Sequence, residues 1–237
     1  MNKVHLVTFA NGDIYIKSQE ILNETINIAN IDTHTMWRDT DIIKTQFYKN
    51  NKDIFKNTTG FGLWIWKPFI ILEKLKEIND GDYVYYQDSS KYDLDGFKKS
   101  IRPIIEFMKN NNTDILPGLV THNINKYLVQ EECFKYMDAD TDYYKNHKHI
   151  QTSPLFVKKT DFSIKFIREW LNYCTVPVCI KKLNRKKCAH QYDQAIVNIL
   201  LVKYKIKYIN HECVKLLTKS YNYYINLFYS NNFTYLE

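Results

Sequence analysis

Glycine is scarce in this sequence, 6 of 237 residues, and the glycine-rich signatures of phosphate binding are missing with it. No GxGxxG follows the first apolar run and no GxxxxGK[ST] occurs, so neither a dinucleotide fold's glycine turn nor a P-loop is supported. GxSxG and HExxH are missing too. No run of 18 or more apolar residues appears, and the opening MNKVHLVTF lacks the long apolar segment of a signal peptide. The expectation is a chain that does not span a membrane and that works in the cytoplasm. The five cysteines, Cys133, Cys174, Cys179, Cys188 and Cys213, are odd in number and form no CxxC. That pattern fits reduced thiols, and no disulfide framework is expected. The spacing Cys174…Cys179…Cys188-Ala-His190 has loops too irregular for an ordinary zinc site.

With 45% hydrophobic residues the chain can bury an ordinary core. No internal repeat, low-complexity linker or abrupt compositional change marks a boundary, so residues 1–237 are expected to form a single domain. Lysine and arginine number 33 against 26 acidic residues, a net charge of +7. This admits an anionic partner: nucleic acid, a phosphorylated ligand or a lipid surface. Heavy use of Asn, Lys, Ile and Tyr suggests an AT-rich genome, which raises the lysine count without a functional cause.

Along the chain, Val4 to Phe9 reads as a buried strand that enters the turn Asn11-Gly12-Asp13 before a helix from about Ser18 to Asn30. Residues 31–59 are polar and give no clear assignment beyond a helix near Asp41 to Tyr48. The stretch GFGLWIWKPFIILEKL, residues 60–75, follows. Pro68 suits a first helical position, and Ile71, Leu75 and Ile78 share a face until Asn79-Asp80-Gly81. Tyr83 to Gln87 is a strand with Asp88 at its far end. The periodicity then predicts a helix near Gly96 to Lys109, a strand at Ile115 to Val120 interrupted by Pro117, and a helix near Glu131 to Met137. After these come an extended Leu155 to Val157, a helix over Asp161 to Cys174 burying Ile164, Ile167, Leu171 and Cys174, and a loop over Val176 to Lys187. An all-round apolar helix from about Gln194 to Lys203 and a strand at Ile206 to Ile209 close the pattern. Alternating strands and helices predict a mixed α/β domain with a mostly parallel sheet, whose ligands sit at the carboxyl edge of the strands.

Three segments carry chemistry. Asp88 with Ser89 and Ser90 forms a cluster of hard oxygen donors at that edge, suited to Mg²⁺ or Mn²⁺, with Tyr92, Asp93 and Asp95 downstream. An Asp capping the next turn reads equally well. Trp64 and Trp66 are either core or the wall of a pocket. Lys67 opposes the positive end of the helix dipole, which an anion at the same place would relieve, and Gly60 and Gly62 permit close backbone approach. In HQYDQAIVNILL, Asp193 is either the N-cap of the buried helix or, with His190 and Gln194, a base, metal ligand or hydroxyl partner. The preceding Lys181, Lys182, Arg185, Lys186 and Lys187 form a solvated loop or one that closes over a phosphate.

The order Gly60-Phe61-Gly62-Leu63-Trp64-Ile65-Trp66-Lys67-Pro68, Tyr86-Gln87-Asp88-Ser89-Ser90 and His190-Gln191-Tyr192-Asp193-Gln194 resembles a family of GT-A-fold glycosyltransferases. That family occurs in bacterial surface-polysaccharide clusters and large DNA viruses. Its pattern is G-[FY]-G-x-W-x-W-K-P, then a Y-x-D-x-G-like turn, then H-x-x-D-Q, and the similarity covers most of the chain. The resemblance implies a Rossmann-like GT-A domain that moves a sugar from a nucleotide-diphosphate donor, usually UDP-linked, to a glycan or other hydroxyl acceptor. It implies a divalent cation, Mn²⁺ or Mg²⁺, at Asp88 and Ser90, although Ser90 stands where a DxD motif has its second acid. Thr8, Phe9 and Ala10 correspond to the base site, with Gly62, Trp66, Lys67, Asp88, Ser89 and Gln194 around the donor and Lys67 on the diphosphate. Asp193 and His190 fall in the acceptor-activating position. No nucleic-acid partner is implied, peripheral membrane contact is compatible, and a viral chain would act in the host cytoplasm. The competing readings are a nucleotidyltransferase or nucleotide-sugar hydrolase of similar fold, and a module binding nucleic acid or an anionic surface.

Overall fold

The computed structural model describes residues 2–89, 101–118, 120–183 and 188–208. Among them are seven strands: β1 (Val4–Ala10), β2 (Thr33–Arg38), β3 (Tyr83–Tyr86), β4 (Ile115–Leu116), β5 (Val120–Ile124), β6 (Lys148–Ile150) and β7 (Leu155–Lys158). The longer helices are α1 (Asp13–Thr25), α2 (Trp66–Glu77), α3 (Arg102–Asn110), α4 (Asp161–Cys174) and α5 (Tyr192–Lys203). Five strands form the central sheet in the order β2-β1-β3-β7-β4, and β5 pairs with β6 separately. β1 is parallel to both β2 and β3, whereas β7 runs antiparallel between β3 and β4. The architecture is mixed α/β, with a mostly parallel sheet between helices.

Strand side chains alternate between faces. On one face Val4, Leu6, Tyr83, Tyr85 and Phe156 join Leu22 of α1 and Ile104, Ile105 and Met108 of α3. On the other, Val7, Phe9, Val84, Tyr86, Leu155 and Val157 pack with α2, α4 and α5. Both faces being covered, all seven residues of β1 are buried, which explains its nearly continuous apolar run. The chain leaves β1 for β2 on one side and later returns as β3 on the other. The carboxyl end of β1 is therefore a topological switch point, where a crevice opens between diverging connections.

Several boundaries differ from expectation for definable reasons. α1 begins at Asp13 and ends at Thr25 rather than running from Ser18 to Asn30. β2 lies inside the unassigned stretch 31–59 because it is a part-exposed edge strand that needs little apolar bulk. The helix expected over Asp41 to Tyr48 breaks into two short turns, Asp39–Ile42 and Gln46–Asn50, the second capped by the Thr45 hydroxyl. The strand expected over Ile115 to Val120 divides: β4 stops at Leu116, ahead of Pro117, and Val120 starts β5 in the other sheet. α2 starts two residues before Pro68, at Trp66. α4 spans the expected residues, fixed by a reciprocal Thr160–Ser163 capping box, but its buried face is Phe166, Ile167, Trp170 and Cys174, with Ile164 and Leu171 only partly covered. Pro177–Ile180 makes a helical turn within the expected loop. Residues 206–208 form no strand, and Ile209 and the expected helical start at 96–100 lie outside the described residues.

α5 is anchored to β6 by one side chain. Asn198 Oδ1 accepts from the Ile150 N–H at 2.7 Å, and Asn198 Nδ2 donates to the Ile150 carbonyl at 2.8 Å. Both partners are buried. Replacing Asn198 with leucine should strand two buried peptide groups and lower unfolding free energy by roughly 2–4 kcal/mol. Urea denaturation measures this; an unchanged midpoint contradicts it.

Candidate active site

The cleft at the switch point begins with an unusual backbone. Gly60, Phe61, Gly62, Leu63 and Trp64 have φ of +57°, +47°, +82°, +60° and +61°, five consecutive residues in the left-handed region. Each non-glycine residue there costs about 1–2 kcal/mol, so packing must hold the turn. A Cβ at Gly60 would sit 2.3 Å from the Trp64 ring, and one at Gly62 2.6 Å from Phe55. Trp66 Nε1 donates to the Gly60 carbonyl at 2.9 Å, and its ring stacks on Phe9 with centroids 3.9 Å apart. The turn is thereby fastened to the end of β1.

A cleft of about 350 Å³ opens beside it, lined by Phe9, Asn11, Tyr15, Thr58, Gly60, Phe61, Trp64, Trp66, Asp88 and Ser89. Asp88 is the one carboxylate among these residues, and its side chain is 44% exposed. The Tyr86 hydroxyl donates to Asp88 Oδ1, while the Asp88 N–H donates to Ser153 Oγ at 2.9 Å. The Ser89 hydroxyl is buried with no hydrogen-bond partner among the described residues.

Behind Asp88 lies Lys67, on the first turn of α2 and only 5% exposed. Its ammonium is 3.5 Å from Asp88 Oδ1 and 3.6 Å from Asp193 Oδ2, and lies over the Tyr86 ring at 5.2 Å. Burial opposes its charge, but Asp193 and Asp88 outweigh that and raise its pKa. The lysine expected on a phosphate is instead a buried bridge between two carboxylates. Its charge is already paired, and it does not line the cleft. Asp193 belongs to the first turn of α5, whose position is set by Trp170 Nε1 donating to the Asp193 carbonyl at 2.9 Å. The helix begins one residue earlier, at Tyr192, with Gln191 in the cap position, so Asp193 stands inside the first turn and is not the N-cap. Burial pushes the Asp193 carboxyl up to about 6, Lys67 pulling it down and Asp88 pushing it further up.

His190 does not join this group. Its Nε2 pairs with the Cys179 carbonyl at 2.8 Å, and its Nδ1 with the Gln130 N–H at 3.3 Å. A carbonyl only accepts and a backbone N–H only donates, so the proton is on Nε2 and neither nitrogen is free to act as a base. Burial lowers its pKa to about 4. The catalytic role expected for His190 is replaced by that of a strut between three chain segments. Thr8 is also turned away, its hydroxyl engaged by His34 Nε2 at 2.8 Å and by Gln19 Nε2 at 2.5 Å. Ala10 is buried and lines no part of the cleft. Gly62 packs on Phe55 behind the wall, and Gln194 follows Asp193 with its carbonyl bound by Asn198 Nδ2. Of the expected donor residues, Phe9, Trp66, Asp88 and Ser89 do line the cleft.

Ser90, Tyr92, Asp93, Asp95, Arg185, Lys186, Lys187 and Cys213 lie outside the described residues. Among those described, no group of three or more His, Cys, Asp or Glu side chains is placed to hold a metal. Asp88 is nevertheless a hard oxygen donor in the cleft, with the buried hydroxyl of Ser89 next to it in the chain, and such donors suit Mg²⁺ or Mn²⁺ when a ligand's phosphates complete the shell. Asn11, Tyr15, Thr58 and Ser153 were not singled out by sequence. Asn11 and Tyr15 follow β1 directly and could have been suspected, whereas nothing local marks Ser153 as the support of Asp88. No family model matches the sequence, and comparison with curated proteins returns no match.

The raised Asp193 carboxyl fixes a sign. Its folded-state pKa of about 6 exceeds the ordinary 3.8, so the native state holds the proton more tightly, and this group's contribution to stability falls as pH rises from about 4 to 6. The full span is roughly 3 kcal/mol, at about 1.36 kcal/mol per tenfold in proton affinity. Asp193→Asn should remove that slope. Unfolding free energies measured across this window check it, and parallel curves for the two proteins contradict it.

Proposed function

We propose that the chain transfers a sugar from a nucleotide-diphosphate donor, UDP-linked in the first instance, to a hydroxyl acceptor in the cleft beside β1 and β3. The observation that carries this reading is the placing of one half-exposed carboxylate, Asp88, in an aromatic-walled cleft at the switch point of an α/β sheet. The motif resemblance supports the same assignment. Phe9, Phe61 and Trp66 offer apolar surface for the planar part of a donor, and Asn11 and Thr58 offer polar atoms at its rim.

Asp88, with Ser89, would hold a divalent cation between protein and diphosphate, and such an ion offsets the negative charge that grows on the departing group. The protein's own share is positional. Lys67 fixes Asp88 from behind, and Tyr86 and Ser153 fix it from the sides. Asp193 lies behind the cleft surface, so in this reading it acts through Lys67 rather than on the acceptor directly.

Thermal shift with UDP, GDP and dTDP in Mn²⁺ tests the reading. A nucleotide at a hundred times its Kd should stabilise the protein by about 2.7 kcal/mol. Asp88→Ala should lose that gain and all sugar transfer while its ligand-free midpoint stays near the wild type. Absence of any nucleotide effect, with steeply salt-dependent DNA or RNA binding in its place, would favour the nucleic-acid module.

A further inference from the structure

One edge of the central sheet is the strand β2, and among the described residues no strand pairs with its outer side. Its sequence, THTMWR, has neither proline nor lysine, and its register with β1 runs without a bulge, so the usual means of blunting an edge are missing. Its peptide groups are divided between two sides. The Asp32 N–H donates to the Val4 carbonyl, whereas the carbonyls of Lys3 and Val7 take bonds from Tyr83 and Gln87 on the β3 side. Peptide groups along a strand alternate between its edges, so Asp32, His34 and Met36 turn toward β1 while Thr33, Thr35 and Trp37 present N–H and C=O outward. The Trp37 carbonyl is met by Gln19 Nε2 at 3.4 Å, a contact long enough to yield to a strand partner. Helix α1 roofs this edge: Asn23 Oδ1 meets His34 Nδ1 at 3.2 Å, and Ile21, 38% exposed, falls between the Asn23 and Gln19 contacts. Met36, 39% exposed, shares the α1 face with His34.

We infer that β2 pairs antiparallel with β2 of a second copy of this chain, about a two-fold axis through Thr35, so that two five-stranded sheets become one continuous sheet. The register follows from the backbone. Antiparallel strands exchange both hydrogen bonds between directly opposed residues, so outward-facing residues must oppose outward-facing residues. With the axis at Thr35, that residue opposes itself and Thr33 opposes Trp37, and all three outward residues find partners. The side chains agree with this register. Arg38 faces Asp32 of the second copy, an opposite-charge pair that the symmetry repeats, and the two side chains are 22% and 32% exposed. Met36 faces His34, and no like charges are opposed. Moving the axis to Met36 would set Thr33 against Asp39, past the end of the strand, and Arg38 against His34. Over the seam the two α1 helices come side by side, with Ile21 near the axis. A self-complementary edge commits the surface to a second copy, and the inference does not depend on the transfer reading.

Sedimentation of the full chain at roughly 100 µM should give twice the mass of one chain. Thr35→Pro removes an outward N–H and no bond to β1, so it should sediment as a monomer with a melting temperature near that of the wild type. Thr35→Cys places one thiol of each copy at the axis, where opposed Cα atoms about 5.5 Å apart fall within disulfide range. It should give a covalent dimer on treatment with diamide. The wild type and Thr33→Cys, whose thiol would face Trp37, should not. A monomeric wild type overturns the inference, and so does a dimer that survives Thr35→Pro. A dimer in which Thr35→Cys does not cross-link, or in which Thr33→Cys cross-links equally, overturns it as well. If Thr35→Pro does not fold, the contrast between the two cysteine variants decides the matter alone.

Discussion

The rest of the cleft depends on one buried ammonium. Lys67 reaches from α2 to Asp88 after β3 and Asp193 on α5, joining three elements that no local pattern brings together. A buried lysine with a single carboxylate would leave a balanced pair. Here two carboxylates share one cation and sit in different surroundings. Asp193, fully enclosed, has its proton affinity raised first by burial and further by Asp88, against the pull of Lys67. Asp88, at the cleft surface, keeps a face open to solvent and ligand. Removing Lys67 would leave the Asp193 carboxyl without its cation inside the protein, an effect far larger than the loss of a surface ion pair, whereas removing Asp88 leaves Lys67 and Asp193 as a balanced pair.

Around that centre the fold works as a set of fasteners. Phe9 clamps Trp66, Trp66 holds the Gly60 carbonyl, and Gly60 makes room for Trp64. On the other side Trp170 fixes the first turn of α5, and Asn198 ties the same helix to β6, a few residues ahead of Ser153. Ser153 in turn holds the N–H of Asp88. The left-handed turn and the carboxylate are thus positioned from opposite ends of the chain, and the strain at Phe61, Leu63 and Trp64 is borne by contacts on both sides.

What could be read in the sequence follows the reach of local rules. α4 was legible because its apolar periodicity runs from Asp161 to Cys174, and the Thr160–Ser163 capping box fixes the same start. β1 and α5 were legible because continuous apolar runs mean burial on all sides. β2 was hidden because an edge strand needs neither alternation nor bulk. The turn at 60–64 was hidden in a stricter sense: Gly60 and Gly62 permit positive φ, but nothing in Phe61, Leu63 or Trp64 suggests it. Lys67, Asp88 and Asp193 were each recognisable as unusual, yet their mutual contact is a tertiary fact, and it turned an expected phosphate ligand into a bridge. His190 shows the same limit, since both its ring nitrogens meet backbone from distant segments.

The central claim, that Lys67 couples α5 to the cleft through Asp193, is tested most directly by a double-mutant cycle. Urea unfolding of the wild type, Lys67→Met, Asp193→Asn and the double variant gives the interaction free energy. The account predicts that the double variant is more stable than the sum of the single losses allows, by roughly 1–3 kcal/mol. Additivity within about 0.5 kcal/mol would mean that the two side chains do not interact, and the proposed architecture of the site would fail with it.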